Sequence, residues 1–276
     1  MGLGRQHAAG MRWSNVSGVS EGTRPEFGSA SALFPPAPWQ LRGWGIGTVQ
    51  GVDVRAARRV IPADCAIVTV APGKTLGGLL FVSYESGSTV VYRELAVVAA
   101  LVRVGRRVAF YLPRLYVDSA ASLTGGRAIW GVPKDMGSFE VAASGTQRTI
   151  VVRCAGSDVC RLHAGVARGG VRLTVPMPAL GTRAASFLFF TSRLTARLSF
   201  IRAAVELPPD GEFAGLSLDR PWFALSLDGF NLIVPVPITV SRRRFAPVSV
   251  VAPSLRRTAN PSRRLRKHAW QQGCWT

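Results

Sequence analysis

The sequence predicts an α+β protein dominated by antiparallel β-strands, with few and short helices. Its 276 residues suffice for one large β-rich domain or two small ones. Hydrophobic residues make up 47% and charged residues 18%, which favours an ordered core. Short apolar runs recur between Gly, Pro, Ser and Arg turns, without the regular strand–helix alternation of a doubly wound sheet. We therefore expect a sheet curled into a barrel, or two packed sheets.

The predicted elements follow one another along the middle of the chain. Order begins at residues 33–45, where prolines and tryptophans enter together. Asp53 followed by VRAARRVIP predicts a short capped helix that ends before Pro62. SAASLTGGRAIWG (119–131) predicts a second helix. Strands are predicted for AIVTVA (66–71), LLFVSY (79–84), TVVYRELAVVAAL (89–101), RVAFYLP (107–113), RLYVDS (114–119), SFEVAAS, QRTIVVRCA, GVRLTVPM, FLFFTS, RLTARLSFI, WFALSLD and NLIVPVPITV.

The two ends of the chain differ in composition from the domain predicted at residues 33–241. Residues 1–32 are rich in Gly, Ser and Ala and predict a flexible leader. Residues 242–276 predict a loosely held, Arg-rich tail, because they contain nine Arg and Lys residues and no acidic residue. The formal charge of +19 is therefore partly a property of this tail.

Several classes of function and location are disfavoured. The N-terminus lacks the continuous apolar segment of a secretory signal, and the best apolar stretch, 95–102, is far shorter than the roughly 20 residues of a membrane-spanning helix. We expect a cytoplasmic protein that does not bind membranes. Cys154, Cys160 and His163 match no common zinc spacing and lack a fourth ligand, so no metal site is predicted. APGKT (71–75) has Val68 where a phosphate-binding loop needs its first glycine.

One lysine is conspicuous in a chain that almost never uses lysine. Lys134 is one of three lysines, against 31 arginines, and lies in the apolar segment AIWGVPKDMGSF (128–139). Burial among apolar side chains lowers the pKa of a lysine amine, which then becomes a nucleophile for carbonyls. Arginine cannot perform that chemistry. The alternative interpretation is a loop lysine with a solvated tip.

The segments around this lysine resemble the acetoacetate decarboxylase-like superfamily. The resemblance rests on PPAPWQLRGWG (35–45), the tyrosine-x-glutamate of VVYREL (90–95), LYVDS (115–119) and, most specifically, GGRAIWGVPKDMGSF (125–139). It covers roughly residues 34–240. It implies a cone-shaped antiparallel β-barrel with an interior pocket, and a homo-oligomer as the usual assembly.

The same resemblance implies a carbon–carbon lyase that uses a lysine Schiff base. Lys134 would condense with the carbonyl of a small 2- or 3-oxo acid, and the iminium would serve as electron sink for decarboxylation or aldol/dehydration chemistry. Glu94 would orient the substrate or move protons, and Trp130 would exclude water. Arg42 and Arg127 are candidates for holding a substrate carboxylate, although Arg127 could instead fix the loop before the lysine. No metal or organic cofactor is needed.

Two departures from the family pattern bear on the reaction. Asp135 stands where the decarboxylase has a second lysine, and the apolar LLFVS (79–83) stands where it has an additional pocket glutamate. Neighbours on an extended chain face opposite ways, so we expect Asp135 to point away from the pocket. Decarboxylation of acetoacetate in particular is therefore not expected. Ser122, Gly125 and Gly126 are interpreted as residues that shape the loop.

Two other functions stay open on the sequence alone. The barrel could bind an apolar or oxo-acid ligand without catalysis, with Lys134 as a counter-ion. Alternatively, the Arg-rich tail could dock on polyanions with the barrel as scaffold. Nucleic acid is not the expected partner, because only a few aromatic residues, Phe245, Trp270 and Trp275, are interleaved with the basic residues of the tail.

Overall fold

Long β-strands form this fold, as the recurring apolar runs predict. The computed structural model describes residues 33–167, 169–184 and 186–241, so the predicted leader at 1–32 and the predicted tail at 242–276 lie outside the described residues. In the described part of the chain, no helix combines the length and the hydrophobicity needed to cross a membrane. The strand-dominated α+β class with few short helices is confirmed.

The strands are numbered in chain order. They are β1 (Trp39–Asp53), β2 (Ala66–Ile67), β3 (Lys74–Tyr84), β4 (Tyr92–Val98), β5 (Ala100–Val104), β6 (Arg107–Tyr111), β7 (Arg114–Val117), β8 (Lys134–Met136), β9 (Ser138–Ser144), β10 (Gln147–Cys154), β11 (Ser157–Gly165), β12 (Val171–Arg183), β13 (Ser186–Ile201), β14 (Ala203–Glu206), β15 (Phe223–Val234) and β16 (Ile238–Ser241). The helices are α1 (Val54–Arg58) and α2 (Ala120–Gly125), with a π-helical turn at Gly126–Trp130 and a 3₁₀ turn at Ala214–Leu216.

Twelve of the strands form one large, strongly curled sheet. Its order is β2-β5-β6-β12-β13-β15-β1-β3-β4-β7-β8, with β16 pairing to β13, and its two end strands, β2 and β8, are not paired with each other. Pairing is antiparallel except between β6 and β12 and between β7 and β8. The sheet is therefore mixed and open in its hydrogen bonding, yet its strands surround one cavity. A separate four-stranded sheet has the order β14-β11-β10-β9.

The large sheet buries both of its faces, which explains why its strands contain nearly continuous apolar runs. On β3, Val82 and Tyr84 belong to the inner core around the cavity, whereas Phe81 belongs to the outer core. The four-stranded sheet covers the outer face, to which it contributes Ile150 and other apolar side chains. The curled sheet thus has one layer packed outside it and a cavity within it.

The strand β1 was not foreseen, although it pairs with both β3 and β15 at the centre of the large sheet. Its sequence, WQLRGWGIGTVQGVD, is rich in glycine, which weakens an isolated strand pattern. The glycines here permit close approach of neighbouring backbone. A Cβ atom on Gly43 would lie 1.8 Å from the carbonyl oxygen of Ser83, and one on Gly45 would lie 2.7 Å from that of Phe81. Tertiary packing overrides strand propensity at these positions.

Both predicted helices are present, and side-chain caps fix where each begins. Asp53 precedes α1, and its carboxylate accepts hydrogen bonds from the backbone N–H groups of Arg55 and Ala56, which lower its pKa. Ser119 caps α2 in the same way, since its hydroxyl accepts from the N–H of Ser122 at 3.3 Å. The start of α2 is therefore set locally, directly before the segment that leads to Lys134.

We expect the outer core to contribute strongly to stability. Phe81 is fully buried, so Phe81→Ala should lower the free energy of unfolding by about 3–5 kcal/mol. Phe200→Ala is the matched control, because Phe200 is 79% exposed and its loss should cost less than about 1 kcal/mol. Urea unfolding followed by tryptophan fluorescence measures both. Equal losses in the two variants would contradict the burial of Phe81.

Candidate active site

Lys134 begins the three-residue strand β8 and directs its side chain into the cavity. The π-helical turn before it ends at Gly131, whose φ of 64° is in the left-handed region that favours glycine. The chain then extends through Pro133, whose carbonyl accepts a hydrogen bond from the N–H of Leu115 at 2.9 Å. Leu115 also pairs with Lys134 in the parallel β7–β8 ladder. This pairing fixes the direction of the lysine.

The Lys134 ammonium has an acceptor for each of its three N–H bonds. Its Nζ lies 2.6 Å from Glu94 Oε2, 2.9 Å from Ser122 Oγ and 3.4 Å from the hydroxyl of Tyr92. The side chain of Lys134 is 6% exposed and that of Glu94 is 10% exposed. Two charges so far from water need both each other and additional hydrogen bonds. The arrangement supplies both.

Two tyrosines hold the Glu94 carboxylate from the cavity side. The hydroxyl of Tyr84 lies 3.3 Å from Oε1 and that of Tyr92 lies 3.4 Å from Oε2. Tyr84 and Tyr92 pair directly across β3 and β4, and Glu94 follows two residues later on the same face of β4. Burial, and next the negative charge of Glu94, raise the pKa of both phenols well above the usual value. Both hydroxyls therefore keep their protons and donate to Glu94.

Gly126 leaves the space that the Lys134 stem occupies. A Cβ atom at this position would lie 2.6 Å from both Cδ and Cε of Lys134, closer than carbon atoms pack. Gly126 is in the π-helical turn, a distortion of helical geometry that is frequent at functional sites. The glycine predicted to shape the loop also fixes the path of the lysine side chain.

The cavity itself is large and almost entirely apolar. Its volume is about 310 Å³. Trp39 and Trp130 lie edge to face near Lys134, with ring centroids 4.9 Å apart. Their indole N–H groups donate to the backbone carbonyls of Pro35 and Pro235, so only their rings meet the cavity. Further lining residues are Leu41, Gly47, Leu80, Ala96, Leu112, Leu115, Val132, Val175, Phe190, Leu194, Leu198, Leu225, Leu227, Leu232 and Val234.

Asp135 points away from this cavity, as the alternation of an extended strand predicts. Its carboxylate accepts from Arg114 at 2.5 Å and from Arg127 at 2.8 Å. It lines a second hollow of about 530 Å³ together with both arginines. Arg127 Nε also donates to the backbone carbonyl of Lys134 at 2.8 Å. These contacts tie β8 to the turn before it.

The structure brings together three of the five residues singled out from the sequence. Lys134, Glu94 and Trp130 all line the cavity. Arg127 lies behind β8, where its guanidinium contacts the backbone carbonyl of Lys134 and the Asp135 carboxylate. Arg42 is exposed on the face of β1 opposite to Leu41, and it does not line the cavity. Neither arginine is placed beside the Lys134 amine.

Three polar residues at the centre of the site were not singled out as functional. Tyr92 occupies the first position of the tyrosine-x-glutamate segment, so the period of two along a strand could have placed it beside Glu94. Tyr84 comes from a neighbouring strand, and only the β3–β4 register shows its position. Ser122, which was interpreted as shaping the loop, is completely buried and accepts from the Lys134 amine.

Metal coordination finds little support within the described ranges. These residues contain no group of three His, Cys, Asp or Glu side chains arranged to hold an ion. Cys160 is buried in β11, and this burial raises the pKa of its thiol to about 12. Its thiol is therefore a protonated core group at neutral pH. The cavity offers one carboxylate, Glu94, whose oxygens already accept hydrogen bonds.

A lysine–glutamate pair thus lies on an apolar cavity inside a curled β-sheet, and comparison with known proteins assigns the chain to a family. The family model described as Acetoacetate decarboxylase (ADC) matches residues 26–194, more than half of the chain. The chain belongs to the acetoacetate decarboxylase family.

Solved structures share this fold at low sequence identity. The acetoacetate decarboxylase of Legionella pneumophila superposes with a TM-score of 0.60 and 15% identity, over 79% of this chain and 94% of that one. The enduracididine biosynthesis enzyme MppR complexed with pyruvate superposes with a TM-score of 0.56 and 16% identity, over 78% and 95% of the two chains. An acetoacetate decarboxylase-like enzyme from Sphingomonas wittichii RW1 gives a TM-score of 0.58 and 14% identity, over 80% and 100%. At these identities the similarity shows the fold alone.

Curated relatives match over shorter stretches. Protein NEOXANTHIN-DEFICIENT 1 of Solanum lycopersicum is 31% identical over 102 residues, which is 37% of this chain and 34% of the relative. The protein of the same name from Arabidopsis thaliana is 29% identical over 109 residues, covering 40% and 38%. The chain thus matches little more than a third of the length of these relatives.

The two buried phenols predict a specific loss of stability at high pH. The folded state keeps both protons, whereas the unfolded chain releases them above about pH 10, so the free energy of unfolding should fall as pH rises beyond that value. Each phenol contributes a slope of about −1.4 kcal/mol per pH unit. Tyr84→Phe/Tyr92→Phe should therefore lose stability less steeply. Urea unfolding between pH 8 and 11 measures both slopes, and parallel curves would contradict the assignment.

Proposed function

We propose that this protein is an enzyme that forms a Schiff base between Lys134 and the carbonyl of an oxo acid, and then breaks a carbon–carbon bond of that substrate. One observation carries the proposal: a buried lysine amine opens onto an apolar cavity with a carboxylate 2.6 Å away. An amine in this setting is shielded from water and has a proton acceptor in hydrogen-bonding contact. The family assignment supports the same chemistry.

Glu94 carries the proton in the proposed first steps. It takes a proton from the Lys134 ammonium across the 2.6 Å contact, which leaves a neutral amine and a neutral acid. The amine adds to the substrate carbonyl to form a carbinolamine. Glu94 then returns its proton to the carbinolamine hydroxyl, so that water leaves and an iminium forms. Tyr84 and Tyr92 donate to Glu94 throughout and hold it in position.

The iminium is the electron sink for the bond-breaking step. In a 3-oxo acid, the bond to the carboxylate carbon breaks, its electron pair moves through the new double bond to the iminium nitrogen, and carbon dioxide leaves. The resulting enamine takes up a proton at carbon, and water hydrolyses the iminium to release the ketone and Lys134. With a 2-oxo acid, the iminium instead loses a proton from the adjacent carbon C3, which gives an enamine that retains the carboxylate. This enamine carbon attacks the carbonyl of an aldehyde in aldol chemistry, and loss of water from the adduct is the dehydration. The relative MppR, described as complexed with pyruvate, supports an oxo acid of this kind.

A binding protein without catalysis is the second candidate. The closed contact between Lys134 and Glu94, together with the Ser122 hydrogen bond, favours it, because a fully satisfied ion pair is a stable counter-charge for a bound ligand. The two candidates differ in one property, which is covalent capture of a carbonyl compound. The homo-oligomer implied by the family resemblance stays a prediction.

We expect borohydride reduction in the presence of a 2-oxo acid to leave one covalent adduct, on Lys134. Peptide mass spectrometry locates it. Lys134→Met/Glu94→Gln should abolish the adduct while the protein stays folded, because this variant removes the buried pair as a unit rather than leaving one charge alone. Lys74→Met is the matched control and should trap normally, since Lys74 lies at the start of β3, away from the cavity lining. An adduct on Lys74, or none in the unaltered protein, would contradict the proposal.

Glu94→Gln tests the proton carrier. The amide keeps the shape of the side chain but cannot accept the lysine proton, so the rate constant of imine formation should fall by about 10²–10⁴-fold. Time-resolved trapping with cyanoborohydride measures this rate. Glu85→Gln is the control, because Glu85 is exposed after β3 and does not line the cavity. If the rate constant of imine formation is unchanged in Glu94→Gln, a group other than Glu94 carries the proton.

A further inference from the structure

We infer that the substrate carries an apolar chain that fills the cavity beyond the reacting carbonyl, so that the ligand class is a medium-chain oxo acid rather than a three- or four-carbon one. This inference rests on the proposed function for the position of the carbonyl and adds the nature of the rest of the molecule. Three independent features carry it: the row of residues that leads away from Lys134, the distribution of polar groups, and the volume.

Strand registers trace an unbroken apolar wall away from the amine. Lys134 pairs with Leu115, Leu115 with Ala96, and Ala96 with Leu80. Leu80 pairs with Gly47 on β1, and Gly47 pairs with Leu225 on β15. All of these residues line the cavity. Five steps between neighbouring strands, at about 4.8 Å each, give a path of about 24 Å along the curved wall. The wall opposite the amine is hydrocarbon.

Charged groups lie at one end of the cavity, beside the hydroxyls of Tyr84 and Tyr92, and the other polar side chains of its described lining are Thr48 and Ser192. Among the described lining residues, Lys134 and Glu94 are the only charged ones. The hydroxyl of Thr48, far along β1 from Trp39, accepts a hydrogen bond from the backbone N–H of Leu79 at 3.0 Å. A polar group at the far end of a ligand would therefore lose its water and gain few partners, which disfavours it.

The volume exceeds what a small oxo acid occupies. At about 30 Å³ for each water-sized group, 310 Å³ holds about ten such groups. Pyruvate has six non-hydrogen atoms and would leave about four of these ten places empty. Apolar pockets gain ligand affinity from buried hydrocarbon area. A chain of several methylene groups supplies that area.

The charges orient such a ligand in one direction. The carboxylate of a 2- or 3-oxo acid is one or two bonds from the carbonyl carbon, so it stays beside the iminium that Lys134 forms. The hydrocarbon chain then leaves the carbonyl towards Leu80, Gly47 and Leu225. The carboxylate needs no arginine in this position, which agrees with the exposed place of Arg42 and the position of Arg127 behind β8.

Trapping of a homologous series tests the inference on the full chain. Linear 2-oxo acids of three to twelve carbons are reduced with borohydride, and the concentration for half-maximal adduct on Lys134 is measured. Each added methylene should lower this concentration about three- to fourfold, until the ligand reaches about ten non-hydrogen atoms. Half-maximal concentrations that do not fall with chain length would overturn the inference while the Schiff-base proposal stands.

Gly47→Val reduces the space in the cavity at one point of its wall, between Leu80 and Leu225. A Cβ atom on Gly47 would meet Leu80 Cδ1 at 3.6 Å and Leu227 Cδ1 at 3.8 Å, which are ordinary contacts, so the new side chain should enter the cavity without disturbing the strands. Trapping of the seven-carbon acid, which has ten non-hydrogen atoms, should weaken at least tenfold more than trapping of pyruvate. Gly165→Val, in β11 outside the cavity, is the matched control and should change neither. An equal effect of Gly47→Val on both acids would contradict the inference.

Alkan-2-ols test binding in the cavity separately from Schiff-base formation, because they cannot form an imine. Calorimetric titration should show octan-2-ol binding at least tenfold more tightly than butan-2-ol, and Gly47→Val should remove this preference. If these alcohols bind as expected but no oxo acid is trapped, the proposed Schiff base fails and the apolar ligand class stands. If octan-2-ol and butan-2-ol bind equally tightly, the proposed ligand class is wrong.

Discussion

The buried contact between Lys134 and Glu94 is the interaction on which the rest of the site depends. Removing one partner of such a pair leaves a charge without compensation, at a cost of about 3–5 kcal/mol, so the fold must keep both in place. It does so with groups from separate segments. Ser122 comes from α2, Tyr84 from β3 and Tyr92 from β4. The contacts of Lys134 and Glu94 thereby connect α2, β3 and β4.

The backbone around Lys134 also serves to keep the lysine in contact with Glu94. Gly126 leaves room for the aliphatic stem, and Gly131 turns the chain into the extended segment that directs the amine inward. Asp135 faces the other way and joins Arg114 and Arg127 behind the strand. The Asp135 carboxylate is next to Lys134 in sequence, and the alternation of one short strand thus keeps it away from the Lys134 amine.

The sequence predicted the fold class, and it singled out both residues of the ion pair because Lys134 is a rare residue in an apolar segment and Glu94 lies in a recognisable motif. It did not predict β1, because glycine weakens the pattern of a strand. The glycines of β1 are required by close contact with the backbone of β3, a strand that is distant in sequence. Tyr84 and Ser122 were not predicted as functional residues of the site for a related reason. Their importance arises from register and helix docking, which are properties of the assembled fold and not of a local pattern.

Part of the cavity wall comes from a different segment of the chain than the polar cluster around Lys134. Lys134, Glu94 and Ser122 lie between β4 and β8, whereas Leu198 and Leu225 belong to β13 and β15. The polar cluster around Lys134 and this part of the cavity wall therefore lie in different segments of the chain. Substitutions at Leu198 or Leu225 can therefore change the shape of the cavity while the contacts of Lys134 with Glu94 and Ser122 stay as they are.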